Sequence, residues 1–197
     1  MASFEPDRLL LVLAERGVDF LVIGGIAATL HGSRQMTDDV DVLFERSREN
    51  RERLAMALDA LNAHLFTPPS VPTPLARRRP WDEDTPGTGG RLTAEYLGLW
   101  NSYHFVTPYG DFDCMVTVPG APAYPEARER AGEAPLEGYT IRVVDIDDLI
   151  AMKRATARPK DLATVDELLE LRKLIEQERA HGEGDDQELP PAADLAQ

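Results

Sequence analysis

One cysteine, no apolar run long enough to cross a bilayer, and too few basic residues to balance the acidic ones: these shortages bound what this 197-residue chain can be. The single Cys114 has no partner for an internal disulfide. It falls in an apolar strand pattern, where a buried thiol without chemistry is expected. No stretch of about 18 consecutive apolar residues occurs, and the opening MASFEPDRLLLVLAERG carries early acids and no cleavage-like site. A soluble, cytoplasmic protein with no membrane span is therefore expected. Lys and Arg number 21 against 35 Asp and Glu, a net charge of −14. Glu183, Asp185, Asp186, Glu188 and Asp194 belong to the C-terminal tail, and removing these five charges from −14 leaves −9 on the body. Broad attraction to nucleic acid is disfavoured, because sequence-independent binding depends on neutralising phosphates with Lys and Arg.

What is present suits one globular domain over residues 1–180, with a Pro/Gly-rich insertion at about 67–92 and a disordered acidic tail over 181–197. A first helix should start near Ser3, with Pro6 in its first turn, and end at Gly17. Asp19–Ile23 reads as a strand, Gly24-Gly25 as a turn, and Ile26–Leu30 as a short helix. Val40–Phe44 reads as a second strand, and Ser47 as the N-cap of a helix through Leu54, Leu58, Leu61 and Leu65. After the insertion, Tyr103–Thr107 and Phe112–Val118 flank Pro108-Tyr109-Gly110 as a hairpin. A strand over Tyr139–Val144, a helix capped by Asp145, a break at Pro159 and a last helix from about Lys160 to Ala180 complete the chain. The expected class is α/β (α+β), a small mixed sheet with flanking helices and a C-terminal helical segment.

The chemistry concentrates in Gly24-Gly-Ile-Ala-Ala-Thr-Leu-His-Gly-Ser-Arg-Gln-Met-Thr-Asp-Asp-Val-Asp41. Strand side chains alternate, so Asp39 and Asp41 project from one face and suit a hard divalent cation such as Mg²⁺, which combines carboxylates with phosphate oxygens. Gly24 and Gly25 would let backbone approach a triphosphate at a helix N-terminus, with Ser33 adding a hydroxyl donor. Thirteen residues separate Gly25 from Asp39. Turn, helix and same-face carboxylates at that distance are far more specific together than a lone Gly-Gly or Asp-x-Asp.

This stretch resembles the opening motif of the polymerase-β-like nucleotidyltransferase superfamily. Thr37 before the acidic strand, Ile150-Ala-Met-Lys153 and Arg158-Pro-Lys-Asp161 are similar to the AbiEii-type toxin relatives of type IV toxin–antitoxin pairs, and the resemblance spans Phe20 to Leu174. It implies phosphate contact by Gly24, Gly25 and Ser33 with Thr37 beside them, metal on Asp39 and Asp41, triphosphate contact by Lys153 and support from Asp161. It further implies a third carboxylate, for which Asp113 is the natural counterpart and Asp111, nearer the turn, the competitor. Relatives commonly carry an arginine two residues before the threonine. Here Gln35 stands there and Arg34 one earlier, which leaves Arg34 without an assigned role.

The implied reaction moves a nucleoside monophosphate from an NTP to an acceptor hydroxyl, with two Mg²⁺ ions, or Mn²⁺ in their place. The toxin branch implies the tRNA 3′ end as acceptor and an antitoxin partner, with Arg77-Arg78-Arg79 the best sequence candidate for reaching RNA. An antibiotic-type small molecule or a protein is the alternative acceptor. A catalytically silent NTP-binding protein is disfavoured by the presence of all three carboxylates. His31 and His104 lack metal-ligand spacing with another His or Cys and are expected to pack or cap.

Overall fold

The structure is a computed structural model and describes residues 4–65 and 92–185. The insertion expected at 67–92, with Arg77–Arg79, lies outside the described residues except for Leu92, as does the tail from 186 onward. The described chain runs α1 (Pro6–Glu15), β1 (Phe20–Ile23), α2 (Gly24–Leu30), β2 (Asp39–Phe44), α3 (Arg48–Ala60), β3 (His64–Leu65), a 3₁₀ turn (Tyr96–Gly98), β4 (Ser102–Thr107), β5 (Gly110–Met115), α4 (Tyr124–Arg130), β6 (Gly132–Leu136), β7 (Tyr139–Val143), α5 (Ile146–Thr156) and α6 (Pro159–Asp185).

Seven strands form one mixed sheet in the order β3-β4-β5-β2-β1-β7-β6. The central β1 is antiparallel to β2 and parallel to β7, while β2 is parallel to β5. All four residues of β1 are buried, as expected of a strand covered on both faces. In β2 the alternation is visible at its N-terminal end: Val40 and Val42 are buried, whereas Asp39 and Asp41 are only partly so. Phe44, Phe105 and Phe112 anchor the core with Leu9, Leu13, Leu54 and Leu58 from α1 and α3.

Local signals account for most boundaries. Ser47 accepts a hydrogen bond from the Asn50 amide, and Asp145 from the Asp147 amide, as N-caps should. Ala157 closes α5 in the left-handed region at φ 50°, and Pro159 then opens α6. Four expectations need correction. The helix expected to run through Leu65 ends at Ala60, and Leu65 instead pairs in β3. The helix after β1 begins at Gly24 itself instead of following a turn, β5 ends at Met115 because Val116–Val118 leave the ladder, and α6 runs to Asp185, past the expected start of the tail. Four elements were not anticipated, β3 and the 3₁₀ turn being the shortest of them. Helix α4 buries only Tyr124 and Ala127, too few for a periodic signal, and β6 is an edge strand with Pro135 and mostly exposed residues.

The entrance to β1 and the exit of β2 are tied by one buried amide. Asn50 Oδ1 accepts from the Asp19 N–H at 2.7 Å, and its Nδ2 donates to the carbonyls of Asp19 and Glu45 at 2.9 and 2.8 Å. Its residue exposure is 0 %, so no water replaces these bonds. Asn50→Leu should cost about 3 kcal/mol by orphaning backbone groups, read as a lower urea midpoint with an unchanged m-value. A midpoint equal to wild type would refute that role.

Candidate active site

The chain passes from β1 straight into α2, and the two glycines at that junction make room for side chains of the protein itself. Gly24 sits at φ 64°, and a Cβ there would overlap the Asp41 carboxylate. A Cβ on Gly25 would overlap the Thr37 side chain. The expected role of these glycines was backbone approach to phosphate. The structure supplies an additional physical reason for them: the space a Cβ would fill belongs to Asp41 and Thr37.

The parallel pairing of β2 and β5 sets Asp39 beside Asp111 and Asp41 beside Asp113. All four carboxylates therefore point to one face of the sheet. Asp39, Asp41 and Asp113 line a cavity of about 310 Å³ with Gly24, Gly25 and Thr37. Asp111 does not line it. Thr37 Oγ1 donates to Asp39 Oδ1 at 2.5 Å and orients that carboxylate. Burial, then the like charges of Asp39 and Asp113, push Asp41 from 3.8 up to about 7, against the pull of Lys153 and Lys160. Among the described residues no three His, Cys, Asp or Glu side chains are grouped closely enough to hold a metal ion by themselves.

Opposite these acids stands a basic wall built where α5 gives way to α6. Lys153, Arg158 and Lys160 line the same cavity. Lys153 Nζ lies 3.5 Å from Asp161 Oδ1, with both side chains nearly buried, and Asp161 Oδ2 accepts from Thr156 Oγ1 at 2.9 Å. Asp161 thus orients Lys153 from the first turn of α6. The left-handed Ala157 and Pro159 between them let the two helices bring the pair together.

Ser33 is placed differently from the phosphate contact expected of it. It is buried and off the cavity lining, and its hydroxyl donates to Glu167 Oε2 at 2.6 Å. Arg34 contributes its backbone N–H to Glu167 Oε1 at 2.9 Å. Gln35 does line the cavity, and its Oε1 accepts from Thr164 Oγ1 at 2.5 Å. Thr164 and Glu167 had no sequence signal, since polar residues on a long helix are ordinarily solvated. His31 packs as expected, its Nε2 donating to the Val144 carbonyl at 2.7 Å. His104 does not simply pack or cap: its Nδ1 bonds Asp113 Oδ1. Its signal lay in the hairpin, whose turn pairs Thr107 with Gly110 and hence His104 with Asp113. Cys114 is fully buried, and burial drives its thiol upward, which leaves it inert.

The raised value at Asp41 makes a stability prediction with a definite sign. The folded-state value exceeds the unfolded one, so ionising Asp41 costs stability progressively from 3.8 to about 7 and in full above that. Asp41→Asn should therefore raise the Tm of the metal-free protein at about pH 8 and lose that advantage as pH falls. Thermal melts in EDTA across pH check this, and a variant less stable than wild type at alkaline pH would contradict it.

No family model matches the chain, and no curated protein does either. Among solved structures, the lincosamide antibiotic adenylyltransferase LnuA, bound to lincomycin, is similar with a TM-score of 0.52 at 13% identity over 86% of this chain and 99% of that one. The antibiotic-resistance factor ANT(2'')-Ia gives 0.48 at 15% identity over 91% of this chain and 93% of its own. An antigenic nucleotidyltransferase-like protein from Paracoccidioides brasiliensis gives 0.45 at 11% over 87% and 78%. The likeness to LnuA is one of fold: the seven-stranded mixed sheet and its flanking helices form the nucleotidyltransferase type of architecture that the sequence led us to expect.

Proposed function

We propose that the protein is a divalent-metal-dependent nucleotidyltransferase that moves a nucleoside monophosphate from an NTP to a hydroxyl of a small molecule. The observation that carries this is the meeting, in one cavity, of Asp39, Asp41 and Asp113 on the sheet with Lys153, Arg158 and Lys160 on the helices. A polyanion and its counter-cations need both walls. The donor set fits Mg²⁺ by its chemistry, since the wall offers only carboxylate oxygens, and Mg²⁺ takes one or two of these with phosphate and water completing its shell. Burial of the Asp41 carboxylate, together with its like-charged neighbours, also favours a cation there. Mg²⁺ held by Asp39, Asp41 and Asp113, as two ions or with Mn²⁺ substituting, would supply charge neutralisation and acidification of the acceptor hydroxyl.

The chain's own groups do the positioning. Lys153, oriented by Asp161, meets the triphosphate and offsets charge on the departing pyrophosphate. Thr37 holds Asp39 in place beside Gly25. Asp113, on the strand next to β4, would accept the acceptor's proton. Oxygen attack on the α-phosphorus forms the new phosphodiester as the bond to pyrophosphate breaks, with no covalent intermediate on the protein.

A small acceptor is favoured by the likeness to LnuA, an antibiotic adenylyltransferase. It is favoured too by the net charge of −14, which opposes RNA. The tRNA reading, with an antitoxin as partner, draws on the toxin-type residues Lys153 and Asp161, which do meet in the cavity. Label transfer from the four α-³²P-NTPs to lincosamides, aminoglycosides and total tRNA tests both. Labelled small molecule is the expected product, abolished by EDTA and restored by Mg²⁺, and Asp41→Ala should lower the rate at least about a hundredfold. Label on tRNA alone would transfer the conclusion to the toxin reading. No label, together with no Mg²⁺-dependent NTP binding by calorimetry, would sink the assignment.

A further inference from the structure

We propose that His104 is a positioning residue for the third carboxylate, holding Asp113 by one oxygen so that the other is presented to the cavity; this rests on the transferase reading above. The β4–β5 turn sets His104 directly across from Asp113, and Nδ1 meets Asp113 Oδ1. An ionised carboxylate only accepts, so Nδ1 carries the hydrogen and donates it. On the other side, Nε2 lies 3.9 Å from Asp111 Oδ2. The imidazole is thus wedged between the two carboxylates that β5 sends to one face.

Asp113 needs such a support more than its partners do. Asp39 is oriented by Thr37, and Asp41 is packed against Gly24. Asp113 is 29% exposed at its side chain and flanked in register by Asp41. Among the described residues, His104 is the side chain that donates to it. Without the ring, the Asp113 carboxylate would be surrounded by its own sign and free to rotate away from the cavity. The ring also accounts for Asp111, which lies off the cavity and flanks His104 on its far side.

Three substitutions separate positioning from bulk. Asn carries an N–H at the same distance along the side chain as Nδ1, Gln carries it one bond further, and Leu has none. With full-length protein, His104→Leu and His104→Gln should lower kcat about ten- to hundredfold with KM for the NTP near wild type. Both should weaken Mn²⁺ binding, measured without NTP by paramagnetic resonance of the free ion. His104→Asn should stay near wild type in both readouts, and thermal melts confirm that all three fold. Wild-type kcat and Mn²⁺ affinity in His104→Leu, or an equal loss in His104→Asn, would overturn the proposal. A wild-type protein that binds Mn²⁺ yet neither labels an acceptor nor binds NTP would sink the transferase reading alone, and the Mn²⁺ affinities would still decide the role of His104.

Discussion

Carboxylates of one sign are forced together by backbone pairing, and much of the molecule is arranged around that repulsion. The β2–β5 register puts Asp39 beside Asp111 and Asp41 beside Asp113, and no rotamer can move them to the other face of the sheet. The strands tolerate this because their opposite sides are apolar: Val40, Val42, Phe112 and Cys114 are completely buried. Hydrophobic burial is insensitive to what the other face carries, so the sheet holds the charges without needing them to attract anything. The penalty appears instead in Asp41, whose carboxyl is pushed to about 7 first by burial and then by the like charges of Asp39 and Asp113. A site that is uncomfortable when empty favours a cation when one arrives, which is the usual compromise between stability and function.

The second arrangement is a clamp made by α6. Its first turn supplies Asp161 to Lys153, while Thr164 and Glu167, three and six residues on, reach Gln35, Ser33 and the Arg34 amide. These spacings keep all three on neighbouring turns of one helix face. One helix therefore fixes both the lysine of the basic wall and the segment that leads into Thr37 and Asp39. Glu167 is held low by its bonds to Ser33 and the Arg34 amide, so it stays an acceptor at neutral pH. The two walls are consequently positioned relative to each other both by side chains that line the cavity, Gln35, Asp161 and Thr164, and by two that do not, Ser33 and Glu167.

Several features were legible in the sequence because they follow from local rules. Alternation put Asp39 and Asp41 on one face, Ser47 and Asp145 announced helix starts, and the hairpin turn was marked by Pro108-Tyr109-Gly110. The mixed-sheet class came with the resemblance to the nucleotidyltransferase superfamily. What was hidden depends on pairing between distant segments. The β2–β5 register, which adds Asp113 to the pair, is set by contacts more than seventy residues apart in the chain. Ser33 illustrates the same limit: its sequence neighbours suggested a phosphate donor, whereas its partner lies 134 residues away on α6. His104 was within reach, since a hairpin with a known turn fixes every cross-strand pair.

The nucleotide and the acceptor differ in how they can be recognised. A triphosphate is met by charge, and charge in this cavity comes from residues that stand in motifs, Asp39 and Asp41 on one wall and Lys153 on the other. Asp113, Arg158, Lys160 and Asp161 add to that charge, but part of the lining is of another kind. Met115, Val118, Leu149 and Met152 are apolar, and Ser102 adds one hydroxyl. Apolar walls discriminate between ligands by shape and volume, typically by modest factors per methylene, and shape is produced by packing among elements that share no sequence spacing. Among the described residues, the same lining carries no row of basic side chains to follow a polynucleotide backbone beyond the three that face the acids. Under the proposed function, such a cavity would meet the phosphates through charge and leave the acceptor to steric fit, which suits a small hydroxylated molecule better than a nucleic acid.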